Sequence, residues 1–177
     1  MTSPRVVELS ATEASELAQQ ELQEARHAFY TADLESALDR YIGALGLALQ
    51  LGPAATEKIL GGVMDAARAM AQKHDANALS ALGPALLGLT SQVQEVGALP
   101  PVMEAWAMIA SGLGTLFGQV GIALAIAPEH RPGMLANAAM RASLLDNATG
   151  NLFGLADWLE KLSADLHDGE HGRSRLP

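Results

Sequence analysis

Three clusters of side chains have residue types suited to chemistry. Glu24 and His27 stand three residues apart, the Glu-x-x-His spacing that places both ligands on one helix face in di-iron carboxylate bundles. Such a centre needs a second pair and further carboxylates. The chain has no second pair, so a solvated helix face is expected unless a second subunit supplies the missing half. Asp165, His167, Asp168, Glu170 and His171 crowd the C-terminal end and offer oxygen and nitrogen donors to a divalent cation. Donors on a flexible tail hold a cation poorly, so the expected reading is a disordered acidic tail. Glu129, His130 and Arg131 gather in a connector, where function often resides but where water also draws charge.

Nucleophilic chemistry finds no support. There is no cysteine, no Gly-x-Ser-x-Gly elbow and no Gly-x-x-x-x-Gly-Lys phosphate loop. The reading is of a protein that is not an enzyme, with no catalytic residue, no cofactor and no metal.

Composition narrows the class further. A chain of 177 residues is expected to form one domain with a sizeable core. Its formal charge of −9, with lysines and arginines scattered singly, argues against nucleic acid as a partner. The lack of cysteine excludes a disulfide framework, and the N-terminal residues carry no apolar run of a secretory signal, so a cytoplasmic location is expected. Charge is unevenly spread: positions 1–75 hold 17 of the 31 charged residues, whereas 76–128 hold only Glu95 and Glu104, which predicts that the middle third forms the interior.

The elements that must position these groups are all helical. No segment alternates with period two, and alanine and leucine dominate. Ser10 and Glu13 have the spacing of a capping box and predict a helix from about Ala11 to Tyr30. Asp33 caps a second helix from Leu34, which Gly52 and Pro53 end, and a third spans roughly Ala54 to Lys73. Asp75 caps a fourth from Ala76 to about Val96, with Pro84 predicting a kink or a split after Leu82. Pro101 opens a fifth that lasts to Ala127. Leu135, Ala138, Ala142, Leu145, Leu152, Ala156, Leu159 and Leu166 then predict one long helix, lightly interrupted at Gly150 and packed antiparallel on the fifth. The fold class is therefore an antiparallel bundle of about six helices: a flexible 1–10, a helical domain over 11–166 (charged amphipathic helices in 11–73, apolar core helices in 76–166) and a disordered 167–177.

The fifth helix carries the strongest pattern. Ala107, Ser111, Gly114, Gly118, Gly121 and Ala125 recur at spacings of four and three, with Ile109, Leu113, Leu116, Val120 and Leu124 on the reverse face. Each glycine weakens a helix by about 1 kcal/mol relative to alanine, so the stripe predicts close approach of another helix backbone. Both faces are expected to be buried. Residues Ala105 to Ala127 are also uncharged and long enough to cross a bilayer. Gln119 within the segment, the absence of flanking basic clusters, and Arg141 and Asp146 on the partner helix favour a soluble protein over a membrane span.

Residues 18–51 resemble a tetratricopeptide helical hairpin. Ala25 and Ala28 lie on the first helix, Ala32-Asp33-Leu34 occupies the place of the usual Gly-Asp-Tyr turn, and Ala37, Tyr41 and Ala44 fall at packing positions of the second. Glu21 and Glu24 stand where large residues are usual, and the closing proline is displaced to Pro53. Residues 11–73 are also similar to a microtubule-interacting-and-trafficking domain, a three-helix unit with a comparable turn. Either resemblance implies a groove that takes segments of a partner protein, with His27, Tyr30, Arg40 and Tyr41 as candidate lining and Tyr41 also suited to the core.

The expected function is thus a helical interaction or scaffold protein with a protein partner, self-associating as a homodimer because a long apolar hairpin wants more cover than one chain provides. The alternative is a membrane- or apolar-surface-associated protein using the 101–166 hairpin. A metal-dependent helical-bundle enzyme is third.

Overall fold

Helix starts are set by short side chains that accept otherwise unpaired amides. The computed structural model describes residues 10–96 and 99–173. Ahead of α1 (Ala11–Tyr30) the Ser10 hydroxyl accepts the Glu13 amide at 3.2 Å while the Glu13 carboxylate accepts the Ser10 amide at 2.9 Å, so two orphan donors are satisfied reciprocally. Asp33 accepts the Ser36 amide at 3.2 Å to open α2 (Leu34–Leu51). Pro53 begins α3 (Pro53–Gln72), and Asp75 accepts the Ala78 amide at 3.0 Å at the head of α4 (Ala76–Val96). Pro101 begins α5 (Pro101–Ala125). A 3-10 turn over Pro128–His130 leads into α6 (Arg131–Thr149), and α7 (Leu155–Arg173) closes the described chain. No strand occurs among the described residues, and the fold is an all-α bundle.

The helices pack as successive antiparallel neighbours, α1 on α2, α2 on α3, α4 on α5, α5 on α6 and α6 on α7, while α2 and α3 lie against α4 and α5. At the centre of the core Leu45, Leu49, Leu60, Met64, Met70, Leu79, Leu82, Leu86, Leu113, Leu116 and Phe117 are all fully buried. These come from α2 through α5, so the core joins the charged N-terminal helices to the apolar middle of the chain. Fully burying a leucine contributes about 1.5–3 kcal/mol relative to exposure.

Four expectations are corrected. The C-terminal stripe is two helices, because Gly150, Asn151 and Gly154 all adopt φ near +60°, which a right-handed helix cannot contain. Among the described residues seven α-helices therefore stand where about six were expected. Helix α7 runs on through His167 to Arg173, so these residues are not a disordered tail; Leu162 and Leu166 are buried and carry the apolar stripe into the last turns. The split at Pro84 does not occur, and α4 continues through this exposed proline.

The fourth concerns the middle third, which is not uniformly interior. Both faces of α5 were expected to be buried, yet Val102, Met108, Ile122 and Ala125 are exposed, as is Leu87 on α4. Low charge there marks an uncharged outer surface as well as core. The expected flexible 1–10 lies outside the described residues except for Ser10.

Candidate interaction surfaces

The small-residue stripe of α5 faces α4. A Cβ at Gly114 would stand 2.9 Å from Leu86 Cβ and 3.1 Å from the Gly83 carbonyl oxygen, and one at Gly83 would stand 2.9 Å from the Gly114 carbonyl oxygen. At Gly121 the obstacles are Ser80 Oγ at 2.6 Å, Ser80 N at 2.7 Å and the Ala76 carbonyl oxygen at 2.9 Å. Backbone thus meets backbone at Gly83, Gly114 and Gly121, and Ala107 is buried on the same helix, its carbonyl 3.5 Å from the Thr90 hydroxyl of α4.

The stripe is narrower than its spacing predicted. A Cβ at Gly118 would meet nothing within 4 Å, Ser111 is half-buried and Ala125 is exposed. Gly118 Cα still stands 3.9 Å from where a Cβ on Gly83 would lie, so its backbone stays near α4 while its own Cβ direction points into open space. On another side of α5, Gly112 receives Leu145 of α6, whose Cδ2 would lie 2.8 Å from an added Cβ.

The candidate groove residues of the N-terminal hairpin do different jobs. His27 and Tyr30 lie exposed in the last turn of α1, and the Tyr30 ring meets Phe29 edge-on at 6.1 Å. Arg40 reaches back from α2 to α1, with Nη1 at 3.1 Å from Glu21 Oε1 and 2.8 Å from Glu24 Oε2. The hydrogen bond to Glu21, then the charges of Glu21 and Glu24, push its guanidinium pKa up from the ordinary value. Arg40 therefore clamps the hairpin. Tyr41 is core: its ring occupies the space that a Cβ on Gly62 would need, and burial pushes its phenol pKa up.

The clusters with chemical promise are also placed. Glu24 turns its carboxylate to Arg40, and among the described residues no three histidine, aspartate or glutamate side chains converge. Arg131 of the connector donates from Nε to the Ala123 carbonyl at 3.1 Å, satisfying an otherwise free acceptor at the end of α5. The side chains of Glu170 and His171 lie outside those described.

Sequence reasoning missed two polar residues that shape the C-terminal region. Asp146, buried near the end of α6, accepts the Leu155 amide at 3.0 Å through Oδ1 and the Ala156 amide at 2.9 Å through Oδ2, so it caps α7 from a different helix. Arg68 of α3 donates to the Phe153 carbonyl and ties the α6–α7 turn to the bundle. Beside it Glu57, Lys58, Asp65 and Leu152 line an open groove of about 440 Å³. A signal for Asp146 existed in Gly150 and Gly154: a turn between them leaves the first amides of α7 in need of an acceptor.

Exposed apolar side chains define the remaining surface. Tyr30 is 84% exposed, Met108 70%, Leu144 69% and Met140 68%. The last three belong to the α5–α6 pair. From Pro132 to Thr149 the only charged residues are Arg141, half-buried, and Asp146, buried, so the outward face of α6 carries no charge. In comparisons with known proteins, no family model, no curated protein and no solved structure matches this chain.

Proposed function

We propose that this protein is a non-enzymatic helical interaction protein, an adaptor or scaffold that works by binding other polypeptides. One observation carries the reading: Met108, Met140 and Leu144 stand about two-thirds exposed on the adjoining helices α5 and α6, beside a helix face without charge. Scattered exposed apolar residues are ordinary, but several on adjoining elements amid uncharged surface mark a contact face. Charge is concentrated on α1, α2, α3 and α7, whereas α4 and α5 carry one acidic residue each. Tyr30, at the tip of the N-terminal hairpin, is a second exposed anchor of the type enriched in interfaces.

Affinity capture with the intact chain, compared with Leu144→Glu and Tyr30→Ala, tests the proposal. The expected result is a protein retained by the wild type and lost from one variant that keeps its helical content. Identical recovery by all three chains, or no recovery by any, would overturn it.

A second reading is association with an apolar or lipid surface, favoured by the length and apolarity of α5. Half of its most apolar 18-residue window is buried inside the bundle, so only part of that helix is available to lipid. The outer faces of α5 and α6 together would have to serve.

A further inference from the structure

We draw no further inference here: the strongest candidate, the open groove between α3 and the α6–α7 turn, sets acidic Glu57 and Asp65 among basic Lys58 and Arg68, so its charge favours no class of ligand and nothing in the structure shows what covers it.

Discussion

Two glycines one turn apart on α5 should respond unequally to the same substitution. Replacing glycine by alanine within a helix is worth about 1 kcal/mol of stability through backbone entropy, and that gain applies equally at Gly114 and Gly118. At Gly118 the added methyl meets nothing within 4 Å, so Gly118→Ala should stabilise by about the full 1 kcal/mol. At Gly114 it would stand 2.9 Å from Leu86 Cβ, 3.1 Å from the Gly83 carbonyl oxygen and 3.4 Å from Gly83 Cα, and backbone atoms cannot rotate away. Overpacking of this kind costs about 1–3 kcal/mol, which leaves Gly114→Ala neutral to about 2 kcal/mol less stable than wild type. The gap between the variants is then about 1–3 kcal/mol. A chain of this size shifts its melting temperature by about 2–4 °C per kcal/mol, so the midpoints should separate by about 2–12 °C. Urea titrations and thermal melts followed by circular dichroism read both values. Coincident midpoints, or Gly114→Ala melting above Gly118→Ala, would refute the account of the α4–α5 contact.

Other substitutions test separate parts of the fold. Asp146→Ala removes the acceptor of two amides at the start of α7 and should cost about 2–3 kcal/mol, the range of a charged capping interaction in a buried setting, measured by urea unfolding. Ala32 adopts φ +62°, so Ala32→Gly should stabilise the α1–α2 hairpin by about 1 kcal/mol in the same assay. The Ser10 amide and hydroxyl hold Glu13 below the usual carboxylate range, and hydrogen bonds from the Ser36 hydroxyl and amide do the same for Asp33. A carboxylate depressed in the folded state adds stability above its unfolded pKa and loses it as pH falls through the folded value, so stability should decline below about pH 4. Glu13→Gln and Asp33→Asn should flatten that acid limb in melts taken from pH 6 downward; a limb of unchanged slope in the double variant would remove these caps as its cause.

Local chemistry made most helix boundaries legible. Ser10, Asp33, Pro53, Asp75 and Pro101 announce their helices because each acts locally, Ser10, Asp33 and Asp75 by accepting an amide three residues on and the prolines by a fixed φ and a missing N–H in the first turn, and the structure places the starts at or beside them. The C-terminal region was harder to read, since the feature that organises it is long-range: Asp146 caps a helix nine residues later across a turn, and Arg68 binds a carbonyl 85 residues away. Periodicity alone carried the apolar stripe straight through that turn. The glycine stripe shows the same boundary between local and global information. Spacing tells which residues share a face, but only the crossing with α4 separates Gly114 and Gly121, which need the missing methyl, from Gly118, which does not.

Candidate binding residues were legible in proportion to their neighbours. Tyr30 could be singled out from its place beside the hairpin turn. Arg40 could not be separated from the groove without seeing its partners Glu21 and Glu24. Met140 and Leu144 gave no signal as anchors, because an apolar residue in an alanine-rich helix reads as core until the inward face is known. Low charge across the middle of the chain pointed to burial, whereas part of it is the uncharged outer surface on which the functional proposal stands.

That proposal predicts which molecules touch the outer face of α6 inside the cell. A photo-reactive amino acid placed at Leu144 of the full chain, with a control at exposed Asp165 on α7, reads the contact directly by mass spectrometry of the adducts. The account predicts polypeptide adducts at position 144 and none above background at 165. Adducts confined to lipid, or equal yields at both positions, would contradict it.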